Sequence, residues 1–96
     1  RWAGVVSTPM GPFPVVLEIA DDQRARVTAL TLQRAELQDF SASTGRVSGY
    51  FDVALPEVGD WRVFLRLAAV GGKLQGRVYA RGGFGEWLME VELSRE

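Results

Sequence analysis

"VVSTPMGPFPVVLEI", residues 5–19, places a rigid corner between two apolar runs. The corner holds Pro9, Gly11 and Pro12. Proline fixes its own φ angle, so such a corner loses little conformational entropy when the chain folds. Phe13 and Leu17 share one face of the alternating run that follows, and a register slip of one residue would turn both outward. The stretch therefore predicts a β-hairpin with a fixed register.

The same two-residue period continues through most of the 96 residues. Apolar and polar residues alternate in "GRVSGYFDVAL", "DWRVFLRL", "KLQGRVYAR" and "EWLMEVELS", and turn sequences such as "STG", "PEVGD", "GG" and "GGFG" separate these runs. Such alternation is typical of strands with one buried face. The ambiguous stretch "QRARVTALTLQRAELQDF", residues 23–40, is interpreted as two strands because it contains β-branched Val27 and Thr28 and no N-cap precedes it. We predict one all-β domain, residues 1–96, with seven to eight strands.

Three glycines favour a barrel over a sandwich. Gly4, Gly49 and Gly76 all fall on the inward parity of their strands. Glycine weakens a strand, so a shared inward position indicates a geometric need, which small barrels have where their strands bend. The predicted fold is a single antiparallel up-and-down β-barrel.

The composition excludes several kinds of chemistry. The chain has no cysteine and no histidine, which removes thiol nucleophiles, the commonest metal ligand and the usual general base at neutral pH. The acidic residues fall on outward strand positions or in turns, so no pair of carboxylates is predicted to converge in a cleft. The formal net charge is −1 and no apolar run reaches about 20 residues. We therefore predict no enzymatic activity, no cofactor, no metal site, no nucleic acid partner and no transmembrane segment.

The two ends of the chain resemble a family of small calycin-like (lipocalin-like) β-barrel domains. Trp2, Gly4 and residues 8–12 match that family's Trp-x-Gly opening and its Thr-Pro-Met-Gly-Pro corner. The closing "GGKLQGRVYARGGFGEWLMEVELSR" is similar to the family's last hairpin, with Gly76 in a Leu-x-Gly strand and Arg95 as the terminal arginine. The resemblance implies a calycin-like barrel that acts alone or as an accessory module beside a hydrolase-type catalytic domain.

A second resemblance is to PilZ domains, which bind cyclic dinucleotides. "DFSASTG", residues 39–45, is similar to their Asp/Asn-x-Ser-x-x-Gly turn, although Gly45 comes one residue late. Arg24 and Arg26 stand closer together than that family's arginine pair. This resemblance implies binding of phosphate groups that depends on Arg24 and Asp39.

The barrel interior is one candidate site. A barrel of eight strands is wide enough either to be filled by side chains or to hold one small ligand. If a ligand is held, we expect an apolar one that enters beside the three tryptophans. The predicted ligand-binding residues are Trp2, Phe13, Leu17, Phe51, Trp61, Trp87 and Met89.

The outer face of the last three strands is the other candidate site. A two-residue turn at 71–72 sets three cross-strand pairs, which are Phe64 with Tyr79, Arg66 with Arg77, and Arg62 with Arg81. Pairing through "GGFG" then sets Arg81 against Glu86 and Arg77 against Glu90. The surface is interpreted either as a solvated charge ladder or as a docking face for a partner domain or an anionic group.

The sequence thus predicts a non-enzymatic accessory module or a barrel that binds a small apolar ligand. The alternatives are a protein–protein interaction domain that uses the outer face and a cyclic-dinucleotide-binding domain. Because the chain opens at Arg1 and not at methionine, we expect a product processed from a larger polypeptide or released by removal of a signal peptide.

Overall fold

Nine β-strands and no helix make up the regular structure of the residues that the computed structural model describes, which are 1–9, 11–29, 32–55, 59–83 and 85–96. The all-β prediction is confirmed. The strands are β1 (Trp2–Thr8), β2 (Gly11–Asp21), β3 (Arg24–Ala29), β4 (Leu32–Glu36), β5 (Gln38–Ser43), β6 (Arg46–Leu55), β7 (Gly59–Val70), β8 (Lys73–Gly82) and β9 (Gly85–Arg95).

Except for β4 and β5, which lie at opposite edges, strands that follow one another in the chain lie beside one another in one antiparallel sheet. Its order is β4-β3-β2-β1-β9-β8-β7-β6-β5, so β1 also pairs with β9. This consecutive order is that of an up-and-down barrel. The predicted first hairpin is confirmed, with Thr8 opposite Gly11 and the Thr8 hydroxyl donating to the Gly11 carbonyl at 2.7 Å. Met10 of the first corner and Phe84 of the last turn lie outside the described residues.

The barrel closes along a seam beside Leu37, the single residue between β4 and β5. β4 pairs with β3 and β5 pairs with β6, so this bent segment reaches both edges of the sheet. Across the seam, the Leu37 amide donates to the Ala25 carbonyl at 2.9 Å, and the Ala42 amide donates to the Asp22 carbonyl at 3.2 Å. The result is a nearly closed nine-stranded barrel.

A break at Leu37, followed by a β-bulge at the start of β5, explains why the strand count exceeds the seven to eight that were expected. The β5–β6 register shifts between Gln38 and Ser41, and Asp39 has a left-handed φ of 50°. Gly49 on β6 faces this bend, where an added Cβ would lie 3.3 Å from the Gln38 carbonyl oxygen. The alternation pattern treats this segment as one strand, and the bend divides it into β4 and β5.

Most buried side chains follow the predicted alternation. Leu17 and Leu93, on the central strands β2 and β9, are 0% and 1% exposed, and Phe51 on β6 is buried as expected. Leu37 and Phe40 are also buried, although the sequence pattern did not place them inside. Because the bend between β4 and β5 resets the two-residue period, a pattern that assumes straight strands misses both.

Two inward-facing glycines allow neighbouring strands to approach closely. A Cβ added at Gly4 would overlap the Glu92 carbonyl on β9, and one added at Gly76 would overlap the Arg66 carbonyl on β7. These approaches require that no side chain lie between the backbones. The predicted link between inward glycines and a curved sheet is thus supported at both positions.

The two ends of the chain lie side by side. The Glu96 amide donates to the Arg1 carbonyl at 3.0 Å, and Arg1 Nε lies 2.8 Å from Glu96 Oε2. The Arg95 guanidinium lies 5.6 Å from the Trp2 ring centroid, which is a cation–π contact. These contacts extend the β1–β9 pairing to the ends of the chain.

We predict that Gly76→Ala lowers the free energy of unfolding by about 2 kcal/mol or more, because the added methyl group collides with the Arg66 carbonyl. Gly83→Ala is the matched control, since no atom lies within 4 Å of a Cβ at Gly83, and it changes stability by less than about 0.5 kcal/mol. Urea unfolding of the two variants provides the measurement. Equal stabilities would show that close strand approach at Gly76 does not constrain the fold.

Candidate functional site

An apolar row crosses the outer face of β6, β7, β8 and β9. Its members, which lie opposite one another in register, are Tyr50, Phe64, Tyr79 and Leu88. The ring centroids of Tyr50 and Phe64 are 5.8 Å apart and those of Phe64 and Tyr79 are 6.1 Å apart, with the ring planes tilted by 43° and 39°. Leu88 is 62% exposed. The three aromatic rings therefore support one another in a ridge that ends at an exposed leucine.

An ion-paired row borders the apolar row on one side. Its members, again in register, are Asp52, Arg62, Arg81 and Glu86. Arg62 donates two hydrogen bonds to Asp52, from Nε to Oδ1 at 2.8 Å and from Nη2 to Oδ2 at 3.1 Å. Arg81 Nε lies 3.9 Å from Glu86 Oε1. Each arginine of this row thus has a carboxylate partner within the row.

The ion-paired row also holds the aromatic side chains in place. The hydrogen bond that Arg62 donates to Asp52 lowers the pKa of the Asp52 carboxyl group and raises the pKa of the Arg62 guanidinium group. The Arg62 guanidinium lies 4.6 Å from the Tyr50 ring centroid. Hydrogen bonding to Glu86 raises the pKa of Tyr79. Two rings of the apolar row are therefore tied to charged neighbours.

The arginine pair, Arg66 and Arg77, borders the apolar row on the other side. The two residues lie directly opposite each other on β7 and β8, an arrangement in which like charges repel. Glu90 is the register partner of Arg77. Even so, neither arginine forms an ion pair with any residue that the structure describes. The arginine pair therefore places two positive charges next to an apolar surface, with Glu90 on the neighbouring strand but not in an ion pair with either.

A groove of about 500 Å³ runs along this boundary and is lined by Phe64, Arg66, Arg77, Tyr79, Arg81 and Leu88. A second groove of about 590 Å³ adjoins it at Arg77 and continues across β9 to β1, past Glu90 and Ser7. The two grooves together therefore extend across four strands, β7, β8, β9 and β1.

The cross-strand pairs predicted from the turn sequences are confirmed. They are Phe64–Tyr79, Arg66–Arg77, Arg62–Arg81, Arg81–Glu86 and Arg77–Glu90. Gly71 and Gly72 have φ angles of 58° and 81°, and a two-residue type I′ turn requires positive φ at both positions. This turn sets the register on which the predicted face depends.

Two members of the apolar row were missed by the sequence analysis. The alternation in "GRVSGYFDVAL" turns Tyr50 outward, but the loop "PEVGD" does not by itself determine which residue of β7 it faces. Leu88 stands at an outward position between Glu86 and Glu90. An apolar residue that interrupts an outward run of acids is the signal that could have identified it.

The predicted interior site is not brought together by the structure. Trp2 begins β1 at one end of the barrel, whereas Trp61 and Trp87 lie near the starts of β7 and β9. Because β1 is antiparallel to β9, which is itself aligned with β7 across β8, those two tryptophans lie at the opposite end. A ligand that enters beside all three tryptophans is therefore inconsistent with the strand directions.

Trp87 also departs from the prediction that it lies inside the barrel, because it is 47% exposed. It lies opposite Ala80, and the adjoining pair, Gly82 and Gly85, has no side chain that could cover its ring. Trp61 is partly buried and contacts Gly82, where an added Cβ would overlap the indole ring. A side chain that points inward is thus not necessarily buried when its residue lies at the end of the barrel.

The other predicted interior residues belong to the packed part of the barrel. Leu17 and Phe51 are members of the hydrophobic core, and Met89 packs against it. Phe13 is partly buried. These four side chains are therefore engaged with protein neighbours or half covered by them.

The two residues implied by the PilZ resemblance lie near the seam. Arg24 begins β3 and Asp39 lies at the bend of β5, and both are exposed. No hydrogen bond or ion pair joins the two side chains.

The described residues, 1–9, 11–29, 32–55, 59–83 and 85–96, also lack two other features of a functional site. Within these ranges no buried polar or charged side chain occurs, and no three acidic residues come together in a way that could hold a metal ion. The same ranges contain no helix with the length and apolar character needed to cross a membrane.

Comparison with protein-family models, curated proteins and solved structures finds no match to this chain. The outer face is therefore interpreted from its own geometry.

We predict that Arg62→Gln raises the pKa of Asp52 toward the ordinary aspartate range, because it removes the hydrogen bond and positive charge that lower it. A lowered pKa means that the Arg62–Asp52 interaction stabilises the fold at neutral pH and is lost as the pH falls through that pKa. Carbon-13 NMR titration of the Asp52 carboxyl provides the measurement. Arg46→Gln, an exposed change on the strand that carries Asp52, should leave its pKa unaltered. An Asp52 pKa that is the same in Arg62→Gln and the wild type would contradict this account.

Proposed function

We propose that this barrel is a non-enzymatic binding module that docks a protein partner on the outer face of β6 to β9. The observation that carries the proposal is the apolar row beside the arginine pair. A single exposed leucine needs no explanation. An aromatic ridge that ends in Leu88, which is 62% exposed, and that is bordered by two arginines without an ion pair to any described residue has the composition of an interface hot spot.

The residues proposed to contact the partner are Arg62, Phe64, Arg66, Arg77, Tyr79 and Arg81, together with Tyr50 and Leu88. Their contributions differ. Phe64, Tyr79 and Leu88 supply apolar area in and around the groove, and the arginine pair supplies charge. Arg62 and Arg81 already have carboxylate partners, so their effect is to keep the apolar row in position.

The calycin-like assignment belongs to the same proposal. It is supported by the motifs at the two ends of the chain and by the consecutive antiparallel strand order, which is the order of lipocalin barrels. A calycin-like module of this kind would act as an accessory to a larger enzyme. The proposed face is the surface through which a neighbouring catalytic domain would be held.

A second candidate function, binding of a small apolar ligand, is favoured by the exposure of Trp87. Its indole is 47% exposed at the barrel end where Trp61 packs against Gly82. We propose that any apolar ligand binds at this end, against Trp61 and Trp87 and away from Trp2.

Selection of displayed peptides on the folded barrel tests the protein-docking function. Peptides selected on the wild type should bind Leu88→Ser about tenfold more weakly, because burial of a leucine side chain on binding is lost. Arg66→Ser/Arg77→Ser should also weaken binding without lowering stability, since both arginines are exposed.

Val70→Ser is the matched control, because Val70 is 53% exposed and lies on β7 away from the apolar row. Peptides that bind wild type, Leu88→Ser and Val70→Ser equally would remove the proposed docking function.

Tryptophan fluorescence tests the second candidate. Titration with dodecanoate should shift the emission to shorter wavelength as the ligand covers Trp87. Trp87→Phe should reduce the shift, because only Trp61 would then report the ligand, while Trp2→Phe, at the other barrel end, should preserve it. A spectrum that dodecanoate leaves unchanged would exclude this ligand site.

A further inference from the structure

We infer that the docking face selects an extended protein segment in which a large apolar residue and an acidic residue are separated by one residue. The inference rests on the proposed function and adds the chemistry of the partner. It follows from the charge balance of the face and from the spacing between its rows.

The charge balance leaves room for one anionic group. Of the arginines that line the groove, Arg81 lies near Glu86, whereas Arg66 and Arg77 form no ion pair with a residue that the structure describes. A polyanion such as a nucleic acid would bring further phosphates over Glu86 and Glu90, which lie on the same face. A single carboxylate fits between Arg66 and Arg77, because guanidinium groups bind carboxylates with charge-assisted hydrogen bonds.

The shape of the apolar row favours a side chain over a flat ring system. The planes of Phe64 and its two aromatic neighbours are tilted by 43° and 39°, so they do not form a level platform on which bases stack in sequence. A branched or aromatic side chain instead fits the groove, whose lining includes Phe64, Tyr79 and Leu88.

The spacing between the rows matches that of an extended chain. Phe64 and Arg66 are two residues apart on β7, and Tyr79 and Arg77 are two apart on β8, so the apolar row and the arginine pair lie about 6.6–6.8 Å apart along the strands. Side chains at positions i and i+2 of an extended segment share one face at this same spacing. A segment aligned with the strands therefore places its apolar residue on the apolar row and its acidic residue on the arginine pair.

The ion-paired row determines which type of residue the segment carries on the side of its apolar residue that faces away from the arginine pair. The side chain two positions from the apolar residue, on the side away from the acidic residue, would lie over Arg62 and Arg81, whose charges are already balanced. This position therefore gains nothing from a carboxylate and accepts a neutral residue. The recognised pattern has one acidic position, on one side only.

Three peptides test the pattern, each acetylated and amidated. The sequence Thr-Phe-Thr-Glu-Thr has the inferred spacing, Thr-Phe-Thr-Gln-Thr lacks the charge, and Thr-Phe-Glu-Thr-Thr directs the carboxylate to the opposite face. The flanking threonines favour the extended conformation. Titrations followed by NMR of the Tyr79 ring and of the Nε–H groups of Arg66 and Arg77 should show the first peptide binding roughly fivefold more tightly than the other two.

Protein variants show whether the arginine pair causes this preference. Arg66→Gln/Arg77→Gln should bind the glutamate and glutamine peptides equally, while Arg24→Gln, which removes an exposed arginine from β3, should keep the preference. Equal binding of all three peptides to the wild type, or no shift of the Tyr79 resonances, overturns the inference. If binding depends on Leu88 but not on the glutamate, the docking function stands and only the acidic pattern fails.

Discussion

The register of the β7–β8 hairpin is the constraint on which both the core and the outer face depend. Gly71 and Gly72 adopt positive φ angles, so the turn between the strands has two residues and every cross-strand pair above it is determined. The register that buries Leu65 also places Phe64 opposite Tyr79 on the outside. A slip of one residue would exchange the two faces and expose the buried side chains. Burial of the core therefore also stabilises the register that forms the apolar row.

The closure of the barrel has a different origin, because it depends on one irregular segment. Closure requires that the two edges of the sheet meet, and in this chain the bend at Leu37 and Asp39 brings them together by splitting one segment into β4 and β5. The two backbone hydrogen bonds across the seam supply partners to groups that would otherwise lie at a sheet edge. The proposed face lies on β6 to β9, where the pairing has no shift of register, and so it does not depend on that bend.

Sequence reasoning succeeded where short turns determine geometry and failed where position along the barrel axis matters. The two-glycine turn was enough to predict that Arg66 faces Arg77, because turn length and alternation together leave one register. Alternation predicts the direction of a side chain but not its depth, so Trp87 was expected inside although it lies at an open end. The buried Phe40 was missed because a left-handed φ at Asp39 cannot be read from a period-two pattern. The functional surface was harder to predict from the sequence, because it depends on which outward residues remain without partners after the strands are paired.

The contact between the chain ends has a consequence for how the domain tolerates rearrangement. The Arg1 carbonyl accepts a hydrogen bond from the Glu96 amide, so a few added residues would link the two ends without strain. The polypeptide could then be opened at Gly71 and Gly72, giving a circular permutant with the same strand neighbours and no covalent link between β7 and β8. In such a permutant, β7 and β8 would keep the register of the apolar row only through their pairing with β6 and β9 and with each other. Comparing the permutant with the original chain would therefore separate the contribution of the turn from that of the surrounding sheet.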